Sequence, residues 1–241
     1  MIYAISDLHM PIEVQIRKFN YPVDYLERVK KRLGNPELLI IAGDLSWEWN
    51  LRAGIDLLNN DIRNLPGEKK VFIAGNHDTF FHPENWRIKL LEEFNSEDLF
   101  YLSGRSIIIN TSNDKKIGLS GTMGWVVNEK QNSNKDKRFL SEQTNYLKRS
   151  LDNLEEKITE VNTDKNICVL HHPPTHRIYT DGRKGSEELF NLIKEYKFIN
   201  KIIYGHIHVE KNFSIFKKLD GIELYCVAID QLNFYPVKIK I

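Results

Sequence analysis

The sequence predicts an α/β fold in one domain spanning residues 1–241, with a parallel sheet in its first half and a second, mixed sheet in its remainder. Two observations carry this. Short apolar runs bounded by turn residues recur at 2–5, 38–42, 71–74, 107–109, 117–119, 167–170, 202–204, 224–229 and 237–241, and read as strands mostly buried on both faces. Segments of helical periodicity at 22–33, 53–65 and 86–94 separate the early runs, giving β-α-β-α-β, a pattern whose crossovers impose parallel pairing. The strongest helical segment is 141–161, with Leu147, Leu151, Leu154 and Ile158 at i, i+4, i+7 and i+11. A further helix is predicted at 186–196, and the later strands, with fewer crossovers, predict antiparallel or mixed pairs. The polar stretch 128–138, whose charges alternate in sign, is predicted to be a surface loop.

Composition narrows the function. Lys and Arg (34) nearly cancel Asp and Glu (33), leaving a formal charge of +1, which argues against binding a polyanion over a wide surface. No apolar run approaches the ~20 residues of a membrane-spanning helix. The opening Met1-Ile2-Tyr3-Ala4-Ile5-Ser6-Asp7 has neither basic nor long apolar character, so a cytoplasmic location is expected. Cys168 and Cys226 lie inside apolar runs and are expected to be buried thiols rather than zinc ligands.

The informative residues lie just beyond the strands. Asp7-Leu8-His9 ends the first run, Gly43-Asp44 the second, and Gly75-Asn76-His77-Asp78 the third. His171-His172-Pro173-Pro174 succeeds 167–170, and Gly205-His206-Ile207-His208 succeeds 202–204. Six of the eight histidines fall in these clusters, a placement improbable under random scatter. In open parallel sheets, groups beyond the carboxyl ends of strands converge on one crevice. Spacing i, i+2 on an extended segment would put Asp7 with His9, and His206 with His208, on one side, each pair able to reach a common centre. His82, His172 and His176 are treated as non-ligands. A set of carboxylates, imidazoles and one carboxamide without thiolate suits Mn, Fe, Co or Zn, and seven candidate ligands are too many for one tetrahedral ion but suit two ions sharing a carboxylate.

These blocks, D-x-H, G-D, G-N-H-D, H and G-H-x-H in that order, resemble the calcineurin-like metallophosphoesterase superfamily from Asp7 to His208. The resemblance implies a four-layer α-β-β-α sandwich of two mixed sheets flanked by helices, forming a single metallophosphoesterase domain. It implies that Asp7, His9 and His208 hold one divalent ion, that Asn76, His171 and His206 hold a second, and that Asp44 bridges them. It further implies phosphoester hydrolysis by a metal-bridging hydroxide, with two Mn, Fe or Zn ions as cofactors. His77 is the candidate general acid.

One position departs from the pattern. Many members continue the second block as G-D-x-x-D, the last Asp orienting the catalytic histidine, whereas Gly43-Asp44-Leu45-Ser46-Trp47 puts Trp at that place. Asp78, counted with His77 as catalytic, or Glu48 would then have to orient it. Asn76, His77, His176 and Arg177 are the expected substrate-binding residues, and Trp47, Trp49 and Trp125 are candidates to stack on a nucleobase. The expected substrate is a small phosphodiester or phosphomonoester. The alternatives are a nuclease acting on DNA or RNA ends, which requires a basic groove around the metals, and a metal-poor scaffold that binds protein, which the complete ligand set disfavours. Specificity is expected to reside in the loops at 122–138 and 175–185.

Overall fold

The computed structural model describes residues 1–10, 21–96, 98–127, 133–179, 186–208 and 213–241. Its layering follows from the period-2 alternation of strands that are apolar on both faces. In β1 (Ile2–Ile5), β2 (Leu38–Ala42) and β3 (Lys69–Ile73), residues Ile2, Ala4, Leu38, Ile40, Ala42, Val71 and Ile73 point into one buried cluster. Their neighbours Ile5, Leu39, Ile41 and Phe72 point into another, shared with the helices. From the far side, Ile117 and Leu119 of β6 (Lys116–Thr122), Ile167 and Val169 of β7 (Lys165–Leu170) and Ile203 of β8 (Lys201–Tyr204) join the first cluster. Cys168, Leu170, Ile202 and Tyr204 turn outward to a third. The clusters define helix, sheet, sheet and helix layers, the four-layer sandwich that the family resemblance implies.

The first sheet has the order β11-β1-β2-β3-β4, where β4 is Phe100–Tyr101 and β11 is Val237–Lys238. Strands β1 to β4 are parallel and β11 closes the edge antiparallel. The second has the order β5-β6-β7-β8-β10-β9, with β5 at Ser106–Asn110, β9 at Phe216–Leu219 and β10 at Ile222–Cys226. There β6, β7, β8 and β10 are parallel and both edges antiparallel. Against the first sheet lie α1 (Tyr25–Leu33), α2 (Leu51–Leu57, running on through a π turn at Leu58–Ile62) and α3 (Glu84–Glu93). α1 buries Tyr25, Leu26, Val29 and Leu33 on one stripe. Against the second lie α4 (Asn134–Glu160) and α5 (Glu188–Glu195).

Three sequence expectations are corrected. The helix expected at 141–161 begins at Asn134, so the last part of the 128–138 loop is helical: Ser133 caps it in a capping box with Asp136, and its polar first turns lack the apolar period that marks the rest. Residues 128–132 of that loop, and 180–185 of the second specificity loop, lie outside the described residues. The run 224–229 is not one strand. Pairing with β8 ends at Cys226, after which Ser6 donates its backbone N–H to Val227 O (2.9 Å) and bridges Ala228, carrying the chain across to the end of β1. Finally, β4 and β9 went unread, β4 because it has two residues and β9 because its Phe-Lys-Lys-Leu alternates at an exposed edge.

Candidate metal centre

The carboxyl ends of β1, β2, β3, β7 and β8 meet across the sandwich, and the backbone turns sharply at each. Asp7 (φ 60°), His9 (φ 50°), Asp44 (φ 50°) and His206 (φ 69°) all occupy the left-handed region, which costs a non-glycine residue of the order of 1 kcal/mol or more. The D-x-H segment is therefore not extended as its spacing suggested: Asp7 and His9 meet because a left-handed turn folds both toward the centre. The intervening Leu8 is fully buried in the first helix-side core, and Ile207 likewise anchors the G-H-x-H segment in the other. Tyr25 Oη of α1 donates to Leu8 O (2.8 Å), fixing the first loop from behind.

Close approach demands glycine at Gly75 and Gly205, among others. A Cβ at Gly75 would overlap the amide nitrogen and carboxylate of Asp44, and one at Gly205 would overlap Ser6 Oγ and come within 2.6 Å of Asp7 Oδ2. Asp78 then ties the second and third loops together. Its carboxylate accepts backbone N–H bonds from Ser46 (2.7 Å), Gly75 (2.8 Å) and Leu45 (3.0 Å), all fully buried. Burial, with the charge of Asp44 adding to it, pushes its carboxyl up to about 7, against those three donors.

The polar side chains converge as two groups. In the first, one donor atom each from Asp7, His9, Asp44 and His208 lies within 4.8 Å of the others, and His9 Nε2 faces His208 Nε2 at 3.3 Å. In the second, Asn76 Oδ1 lies 2.9 Å from both His171 Nε2 and His206 Nδ1. Asp44 stands between them: its Oδ2 is 3.5 Å from His9 Nε2 and 3.4 Å from His171 Nε2, while its Oδ1 accepts the His77 N–H at 2.9 Å. His206 and His208 thus separate into different groups rather than sharing one.

A tetrahedral ion with bonds of ~2.1 Å sets its ligands ~3.4 Å apart, and octahedral ligands closer still, so these separations are those of a coordination shell. Asp44 Oδ2 supplies a second fit. It is buried and accepts no hydrogen bond among the described residues, a costly condition that a cation would relieve. Burial drives the His9 and His206 imidazoles down to about 3, leaving neutral nitrogen donors. Burial, and the charge of Asp44, push the Asp7 carboxyl up to about 6. Burial would raise Asp44 too, but the charge of His171, 3.4 Å from its Oδ2, holds it well below the usual carboxylate range. Burial would lower His171, and Asp44 instead lifts it to about 9.

Residues behind the ligands orient them. His208 Nδ1 meets Asp230 Oδ2 at 2.8 Å, and His171 Nδ1 meets the Ala42 carbonyl at 3.0 Å, the arrangement that fixes the ring of a metal-binding histidine. Ser6 Oγ donates to Asp7 Oδ2, and the His206 N–H reaches the same oxygen at 3.1 Å. Sequence reasoning missed Asp230. The signal was there, since Asp230 directly follows the apolar run 224–229, as Asp7 follows the first.

The remaining predicted residues divide. His77 Nε2 is 4.0 Å from Asp44 Oδ2, at the edge of the centre. A cavity of about 360 Å³ opens beside the second group, lined by Asn76, Trp125, His172, His176, Tyr179 and His206 among others. His176 therefore faces the site, and Arg177 does not line this cavity: its guanidinium binds Asp220 at 2.9 and 3.1 Å, which raises its pKa further. His172, set aside on sequence, buries an Nε2 that finds no partner among the described residues and groups with His171 and His206.

Comparison with curated proteins finds no significant match. Among solved structures, one crystal structure with no protein named is similar at 12% identity over 93% of this chain and 88% of that one, TM-score 0.55. GAP50, the anchor in the inner membrane complex of Plasmodium, is similar at 14% identity over 95% and 71%, TM-score 0.52. A 5'-nucleotidase precursor from Thermus thermophilus matches at 12% over 94% and 48%, TM-score 0.42. At such identity the first two speak for the fold alone. The sequence profile of the calcineurin-like phosphoesterases matches residues 1–210, a span that holds every candidate ligand from Asp7 to His208. This chain belongs to the calcineurin-like phosphoesterase family and is a metal-dependent phosphoester hydrolase.

Proposed function

We propose that residues 1–241 act as one domain that hydrolyses small phosphomonoesters or phosphodiesters at a dinuclear centre of Mn, Fe or Zn. In this reading Asp7, His9 and His208 would hold one ion, Asn76, His171 and His206 the other, and Asp44 would bridge them. The observation that carries it is the buried, unpartnered Oδ2 of Asp44, 3.4–3.5 Å from an imidazole nitrogen of each group. When bound, two such ions neutralise phosphate charge and acidify a water for in-line attack.

The chain's own residues supply the rest. His77, at the edge of the centre with its side chain 34% exposed, can hold a proton for the departing oxygen, a contribution of ~10² to 10⁴ in rate. Asn76 and His176 face the substrate from the cavity floor and wall, and Trp125 offers a flat wall, stacked on Phe139 at 5.2 Å. Arg177, engaged by Asp220, is not needed. Neither Lys nor Arg lines this cavity among the described residues, and Asp136 does, which supports a small substrate over a nucleic-acid strand.

A hydrolysis screen across mono- and diesters with Mn²⁺, Zn²⁺ and Fe²⁺, run beside Asp44→Asn, tests the reading. Since groups merely behind metal ligands cost ~10 to 100-fold when lost, Asp44→Asn should reduce kcat/KM by more than ~10²-fold and lower bound metal. Wild-type activity in that variant refutes the bridge.

A further inference from the structure

We propose that Trp47 is the positioning residue for His77, fixing its imidazole by ring contact where a carboxylate would otherwise do so by hydrogen bond; this rests on the reading of His77 as proton donor. The Trp47 and His77 rings lie 3.9 Å apart at 51°, and Trp47 also stacks on His9 at 5.2 Å and 21°. The three rings form a triangle, His9 and His77 lying 5.2 Å apart edge to face, and the Trp47–His77 side is the shortest.

Its own position is fixed through backbone. The Trp47 N–H donates to Met10 O (2.9 Å), and Met10 N–H to Leu45 O (2.9 Å), stitching its loop to that of Asp7 and His9. Asp78 clamps Leu45 and Ser46 to Gly75, stitching the same loop to that of His77. Both Asp78 oxygens are engaged there by buried amides, so the carboxylate nearest in sequence to His77 is committed to the backbone. The His77 N–H is held by Asp44 Oδ1, which fixes its backbone, and the indole, the ring nearest to its imidazole, restrains the side-chain torsions.

A flat wall restrains the plane of an imidazole without adding a charge behind it. Loss of the wall should therefore penalise leaving groups that need a proton and spare those that do not. The test compares wild type, Trp47→Ala, Trp47→Phe and His77→Ala at saturating Mn²⁺ on aryl phosphoesters graded from p-nitrophenyl to phenyl. Trp47→Ala should lose ~10- to 10²-fold in kcat on the phenyl ester and less than ~3-fold on the p-nitrophenyl ester, with KM little changed, and Trp47→Phe should recover most of it. If the alanine variant does not fold, Trp47→Leu, which fills volume without a flat ring, takes its place. Equal loss across the series while His77→Ala remains selective overturns the role of Trp47 and leaves His77 standing; no selectivity in His77→Ala overturns both. A second readout is independent of turnover: in the metal-free protein the His77 ring-proton resonances should move downfield in Trp47→Ala as the indole ring current is lost, and unchanged shifts overturn the contact.

Discussion

The two halves of the candidate metal centre are built from similar parts but differ in charge and surroundings. The Asp7–His9–His208 half has its own carboxylate, a histidine backed by Asp230 at 2.8 Å, and a cover of Trp47 stacked on His9. The Asn76–His171–His206 half has a neutral amide, a histidine backed only by a backbone carbonyl at 3.0 Å, and an open cavity beside it. A divalent ion is held more tightly by an anionic, carboxylate-backed set than by a neutral one. On the proposed dinuclear reading, the first half is expected to hold its ion more tightly than the second, and each experiment that follows bears on that contrast.

The largest effect should come from exchanging the ligands that distinguish the halves. Asp7→Asn should cost more than ~10²-fold in affinity for the tighter ion, while Asn76→Asp should tighten the weaker one. Calorimetric titration that found both variants to weaken the same step would abolish the asymmetry. Next in size, Asp230→Asn should weaken the tighter ion by ~10- to 100-fold and leave the other step within ~3-fold, because only His208 loses its partner. Equal weakening of both steps would argue that Asp230 supports the fold and not that ligand.

Smallest is a proton count. His171, lifted to about 9 by Asp44, carries a proton at pH 7.5 in the free protein, whereas His9 and His206, at about 3, do not. A ligand imidazole must be neutral, so filling both halves at pH 7.5 should release at least one proton, and affinity for the weaker ion should rise with pH up to about 9. Titration in buffers of different ionisation enthalpy measures this, and no net release would remove His171 from the ligand set.

The nine apolar runs read from the sequence each contain a paired strand, because a strand buried on both faces leaves a continuous apolar signal. β9 escaped that signal by lying at an exposed edge, and the first turns of α4 escaped it by projecting into solvent, though Ser133 and Asp136 spelled the cap. The site was legible for a related reason: Asp, Asn and His immediately after buried strands are conspicuous against their context. What stayed hidden was pairing. That His206 joins His171 while His208 joins Asp7 depends on left-handed turns at Asp7, His9, Asp44 and His206, which no local spacing predicts.

Local composition and period in the sequence account for most element types, for the parallel pairing of the first sheet and for the chemical identity of the candidate donors; the parallel core of the second sheet was not among them. Only the tertiary structure decided which donors face each other, that Asp44 leaves one oxygen for both groups, that Asp78 is spent on backbone amides, that Arg177 is held by Asp220, and that Trp47 stands against His77. Each of these is a contact between segments remote in sequence. Such contacts are set by how two sheets stack and how five strand ends close on one point, which no window of the chain contains.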